Sequence, residues 1–140
     1  MNRELLRIIV LYFINVHKVA IMFRFLLEEL SDIEGFIAAA LVDLDDGQLL
    51  ATYGDEPFNL QVAASGNTEV VHSKLDVIRA LHLDDNIEDI LITVAGQYHL
   101  IRLIEASYEV FLYLVLDSSV ANLALARHVL KRVEQDIVDF

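Results

Sequence analysis

Two runs of the chain, FIAAALV at 36–42 and FLYLVL at 111–116, contain almost nothing that could face water. Successive residues of a β-strand point to opposite faces, so an uninterrupted apolar run of strand length suits a strand buried on both sides, in the middle of a sheet. A fold that offers two such places needs cover above and below the sheet. With 140 residues, 56% of them hydrophobic, the chain is long enough to supply that cover within one domain.

The remaining segments fall into place around these two runs. Apolar residues at 23, 26, 27 and 30 keep helical spacing, and DIEG at 32–35 stops that helix. After the first buried run, QLLATY (48–53) reads as a second strand, ended by Gly54. Residues 59–83 form the longest helical candidate, with Leu60, Ala64, Val71, Leu75 and Ile78 on its core face. Strands IEDILITV (87–94), YHLIRLI (98–104) and YEVFLYLVL (108–116) follow, joined by turns at 95–97 and 105–107. Asp117 or Ser118 can cap a last helix running to about Val138, with Leu123, Ala126, Leu130, Val133 and Ile137 inward. The expected fold is therefore α/β (α+β), with elements in the order α-β-β-α-β-β-β-α. Placing the two most apolar strands side by side gives one five-stranded antiparallel sheet in the order 2-1-5-4-3, flanked by helices.

Charge and composition exclude several functions. A net charge of −12, with ten scattered Lys and Arg, argues against tracking a phosphate backbone, so no nucleic-acid partner is expected. The chain has no cysteine, which removes thiolate metal sites, disulfides and cysteine nucleophiles and suits a reducing cytoplasm.

Residues 1–21 differ from the rest. Arg3, Arg7 and Lys18 against Glu4 give this segment +2, leaving −14 for residues 22–140. Met22 opens MFRFLLEEL, a clean amphipathic start, so residues 1–21 read as an extension upstream of the usual start and 22–140 as the domain. The extension should be dispensable for the fold. An added helix and a membrane anchor are the alternatives. The uncharged run Ile8–Val16 is only nine residues, against about 20 for a spanning helix, so direct membrane insertion is not expected.

Asp43, Asp45 and Asp46 crowd onto Gly47 between two apolar runs. An EF-hand loop counted from Asp43 puts Gly47 at its fifth position and Gln48 at its sixth, where a ligand and a glycine belong. The strand followed by Asp-x-Asp is similar to the first motif of haloacid-dehalogenase-type phosphatases over about eight residues. Gly47 stands where that family has Thr or Val. Asp-Gly between alternating apolar runs is instead a strong hairpin signal, since both residues tolerate positive φ. The five histidines show no ligand spacing, and His72 and Asp76 read as a surface pair. No Gly-x-Ser-x-Gly elbow or phosphate-cradling glycine loop occurs. No catalytic residue, metal ligand or cofactor site is expected, and the chain reads as a non-enzyme.

The long second helix carries one further signal. Off its core face, Ala63, Val70 and Val77 repeat every seven residues, as do Gly66, Ser73 and Ala80. The interleaved three- and four-residue steps are those of a helix–helix seam, and small residues let another backbone come close. Beside it, the third strand would be a sheet edge with free backbone donors and acceptors. Pairing both with their two-fold copies gives an expected dimer interface of Ala63, Gly66, Val70, Ser73, Val77, Ala80, Ile87, Asp89, Leu91 and Thr93.

MFRFLLEEL with IEGFIAAALVDLDDGQLLA, then EDILITVAGQYHLIRLI and FLYLVLDSSVANLALARHVLKRVEQDI, together resemble the Roadblock family of dynein-light-chain-like proteins. The likeness runs from Met22 to about Ile137. It implies a profilin-like α/β fold with the element order above. It also implies a homodimer through the second helix and third strand, with a Ras-like small GTPase as partner for a non-catalytic regulator, activator or scaffold. The alternative is a small-molecule sensor domain on a profilin-like sheet. That would need a pocket with a few polar groups, and the sheet faces read as filled by Leu, Ile and Val.

Overall fold

A computed structural model describes residues 2–54, 58–104 and 109–138. Its elements are α1 (Arg3–Leu30), β1 (Phe36–Asp43), β2 (Leu49–Gly54), α2 (Leu60–Ala80), β3 (Asp89–Val94), β4 (Gln97–Leu103), β5 (Val110–Asp117) and α3 (Leu123–Val138). All strand pairs are antiparallel and the sheet order is β2-β1-β5-β4-β3, as the apolar runs require. The expected turn at 105–107 and the expected first residue of the fifth strand, 108, lie outside the described residues.

The two apolar runs sit centrally for the reason their sequence suggests. Ala39 and Leu41 of β1, with Leu112, Leu114 and Leu116 of β5, face a core built with α1 and α3. Ala40 and Val42, with Phe111, Tyr113 and Val115, face a second core under α2. Each run alternates between two dry faces, so neither has a place for a polar residue. Leu27 and Leu30 anchor α1 in the first core, and Ala126, Leu130 and Val133 anchor α3.

Two helix boundaries differ from the sequence reading. The first helix does not start near Phe23 but runs unbroken from Arg3, capped by Asn2, whose Oδ1 accepts from Glu4 N at 2.9 Å. No Gly or Pro interrupts residues 3–30, so once the helix is anchored at its C-terminal end nothing in the chain stops it. The last helix does not start at Asp117 or Ser118. Asp117 Oδ1 instead accepts from Ser119 N and Oγ at 2.9 and 2.7 Å, and these bonds hold its carboxyl below the usual carboxylate range. Asn122 takes the capping role, its Oδ1 accepting from Leu125 N at 3.1 Å.

β2 ends where only glycine fits. Gly54 has φ +119°, and a Cβ there would lie 2.6 Å from Ile37 O and 2.7 Å from Ala38 Cα. Gly54→Ala is expected to cost about 2 kcal/mol or more, read as a lowered urea midpoint with unchanged slope.

A candidate self-association surface on α2 and β3

The aspartate-rich turn comes first, because it fixes how α2 sits. Gly47 adopts φ +75°, its N–H donates to Asp43 O at 2.8 Å, and Asp43 N donates to Gln48 O at 2.9 Å. The side chains close the same turn: Asp43 Oδ1 accepts from Asp45 N, and Asp46 Oδ1 accepts from Gln48 N. The aspartates thus shape a hairpin. Its tip leans on α2, with Thr68 Oγ1 3.2 Å from where a Gly47 Cβ would stand. His72 Nε2 donates to Leu44 O at 2.6 Å, so His72 ties α2 to the hairpin, while Asp76 pairs with Arg79 instead.

With α2 held this way, Ala64, Thr68 and Val71 are buried and Leu75 packs behind them. The opposite side of the helix is apolar too. Gly66, Val70, Ser73, Val77 and Ala80 are all exposed, Val70 at 37% and Val77 at 45%. At about 100° per residue these five lie within a quarter-turn, on the far side from Ala64 and Val71. Nothing lies within 4 Å of a Cβ added at Gly66, so that glycine answers to no neighbour in its own chain. Ala63 is different: it is half-buried and packs on the second core. Val62, 67% exposed, extends the stripe by one step and was missed, although it stands four residues before Gly66.

β3 is an edge, bonded to β4 on one side only. Its side chains divide. Ile90 and Ile92, with Ile87 just before the strand, lie on the α2 face. Leu91 lies on the α1–α3 face, and Asp89 and Thr93 share its register. Of the expected third-strand interface residues, Ile87 lies on the α2 face, while Asp89, Leu91 and Thr93 belong to the other face. Asp89 is occupied within the chain, accepting from Arg127 Nε at 3.1 Å and lying 3.8 Å from Arg102. The backbone edge of β3 and the side chains of Ile90 and Ile92 are what it can share with a stripe on α2.

Two buried polar groups escaped the sequence reading. On the α1–α3 face, Arg102 and Glu134 are both more than nine-tenths buried, and Arg102 Nε donates to Glu134 Oε1 at 2.6 Å. With Asp89 and Arg127 they tie β3, β4 and α3 together. Under α2, Tyr113 Oη lies 2.9 Å from His99 Nδ1, and His99 Nε2 lies 2.9 Å from Gln97 Oε1. Gln97 Oε1 can only accept, so Nε2 carries the proton, Nδ1 accepts, and the Tyr113 hydroxyl donates. Phe58 packs edge-on to His99 and tilted against Tyr113, and Asn67 of α2 acts on the same hydroxyl.

Burial holds His99 below the ordinary histidine value and pushes Tyr113 up to about 12, against the smaller opposing effect of Asn67. Both shifts favour the neutral forms, so the fold should weaken at both pH extremes. For Tyr113, the contribution is intact below the unfolded value near 10 and is lost as pH rises from there toward 12. For His99, it is intact above about 6.5 and is lost as pH falls through the lowered value. Spectrophotometric titration should show a tyrosine step near pH 12, and Tyr113→Phe should remove it.

A cleft of about 820 Å³ opens between the hairpin tip, the C-terminal half of α2 and residues 83–87. Asp43, Asp45, Asp85 and Glu109 line it with His72 and Arg79. Among the described residues no group of three or more His, Asp or Glu is placed to hold a metal ion.

No family model matches the chain, and no curated protein matches it. Solved structures do. MglB of Myxococcus xanthus superposes with a TM-score of 0.75 at 16% identity, over 84% of this chain and 85% of that one. A Roadblock/LC7 domain from Streptomyces avermitilis gives 0.74 at 9% identity, over 83% and 94%. The gliding protein MglB of Thermus thermophilus gives 0.62 at 20% identity, over 79% and 87%. At such identities the likeness speaks for architecture, and the strand order and element order agree with it. The chain has the Roadblock-family fold.

Proposed function

We propose that this chain is a non-catalytic, homodimeric regulator or scaffold that binds a Ras-like small GTPase in the cytoplasm. The observations that carry the reading are the apolar stripe on α2, on the side of the helix away from its core, and the unpaired sheet edge at β3. A monomer has no use for either. A two-fold copy pairs the β3 edge and buries the Val70–Val77 stripe at once, and builds a face broader than one domain offers. Self-association is in keeping with a solved MglB that is described as having a tetrameric arrangement, 17% identical over 84% of this chain. The GTPase partner rests on the Roadblock resemblance, and a GTPase-activating role would use the partner's own catalytic groups.

The test is co-purification. Candidate Ras-like GTPases, loaded with GDP or a non-hydrolysable GTP analogue, are passed over the immobilised full chain. Retention of one of them, lost on Val70→Glu, is expected. Retention unchanged by Val70→Glu would separate partner binding from the dimer face.

The sensor alternative has a place to act in the acidic cleft, whose carboxylates would favour a small cation-bearing ligand. Ligands of that class that raise the melting temperature of the chain, but not of an Asp85→Asn variant, would favour the sensor.

A further inference from the structure

The first two-thirds of α1 buries no side chain in the domain, and only an open apolar groove along Tyr12, Val16 and Val19 adjoins Leu50 of β2. Apart from Ile9, every Leu, Ile, Val, Phe and Tyr from Leu5 to Ile21 is between 41% and 66% exposed. Exposure at this density is a solubility hazard unless something covers it. By helical periodicity Val10, Ile14 and Ile21 lie on one side and Tyr12, Val16 and Val19 on the other, so the helix is apolar all round. A second protein surface would cover one side and leave the other wet. Lipid covers every side.

Length and charge point the same way. α1 is long and apolar enough to cross a membrane. From Arg3 to Arg24 it rises about 30 Å, the thickness of a bilayer's hydrocarbon core, and since its later part runs beside Leu50 and Tyr53 of β2, the N-terminal part is the part free to insert. Its basic residues stand toward the two ends, Arg3 and Arg7 at one and Lys18 and Arg24 at the other, where long side chains can reach the headgroups. Arg7 and Lys18 close the uncharged run at nine residues, but they interrupt the apolar length only if their heads cannot reach the interface. The extension carries +2 on a chain otherwise at −14, which suits an anionic lipid surface that the domain alone would avoid.

A helix lying flat on the membrane fits less well. Leu27 and Leu30 fix the domain on the side that Ile9, Val16 and Phe23 continue by periodicity. A membrane beneath that side would collide with the domain, and one beneath the opposite side would cover Val10, Ile14 and Ile21 but leave Tyr12, Val16 and Val19 exposed.

We infer that the N-terminal part of α1 inserts into an anionic lipid bilayer and tethers the acidic Roadblock-fold domain at its surface. The inference stands on α1 alone and does not depend on the dimer or the GTPase.

The test uses the full chain expressed in bacterial cells, with membranes collected and washed first with concentrated salt and then with alkaline carbonate. The chain should stay in the membrane pellet through both washes at its full mass. Phe13→Glu with Ile14→Glu places two carboxylates mid-helix, each expected to weaken insertion on the order of 100-fold. Both positions are 56–60% exposed, so the fold should be unchanged by circular dichroism while the variant moves to the soluble fraction. Release by salt or carbonate would overturn insertion. So would a soluble wild-type chain whose assembly is reduced by the double variant, which would mean that a second copy covers the helix. A mature mass lacking the first 20 or so residues, as for a removed signal segment, would also overturn it.

Discussion

Glu134→Ala is expected to destabilise the domain by about 3–5 kcal/mol, the cost of leaving a buried guanidinium without its closest partner. Arg102 donates to Glu134 at 2.6 Å with both side chains about one-tenth exposed, and its other carboxylate, Asp89, is 3.8 Å away and already bonded to Arg127. Asp89 therefore compensates only in part. The loss should appear as a lower urea midpoint with the slope preserved. Replacing both partners, Arg102→Met with Glu134→Leu, should recover most of it, because apolar groups of similar volume carry no desolvation penalty. A double variant as unstable as the single one would show that the side chains' shape, not their charge, holds α3 to the sheet.

Val70→Glu with Ser73→Arg is expected to split the proposed dimer without unfolding the chain. Both positions are exposed in the single chain, so neither change buries a charge there. Across a two-fold axis both new side chains would be set in a closely packed apolar seam, where their charges lose water. Central interface positions of this kind are worth 2 kcal/mol or more apiece, so the dimer should weaken by at least about 100-fold. Thermal unfolding of the separated chains should stay close to that of the single domain, and GTPase retention should vanish with the dimer.

The sheet was legible because its signals are local and redundant. The runs at 36–42 and 111–116 admit only a doubly covered strand, and Asp46-Gly47 admits a turn. Those two runs side by side in the middle leave the second and third strands as edges, which is the observed order. The Val70–Ser73–Val77 stripe was legible for a similar reason: helical periodicity separates it from the core face without knowledge of the sheet. The β3 residues were not, because strand alternation offers two faces and sequence alone does not say which one looks toward α2. Ile90 and Ile92 lie on the α2 face and Leu91 on the other. Arg102 and Glu134 are 32 residues apart, and His99 and Tyr113 are 14 apart. Such pairs meet only through tertiary packing, and Arg102, Glu134 and His99 each read alone as ordinary surface groups. The reach of α1 was misjudged by giving weight to Met22 as a start, where the chain contains no helix breaker.

The account's central claim is that α2 and β3 join two copies of this chain. Size-exclusion light scattering of the full chain tests it, in a mild nonionic detergent with protein mass resolved from bound detergent. The account predicts a protein mass of twice 15.9 kDa at micromolar concentration, falling to one chain on Val70→Glu with Ser73→Arg. A wild-type chain of 15.9 kDa under those conditions, or a dimer indifferent to both substitutions, would contradict it.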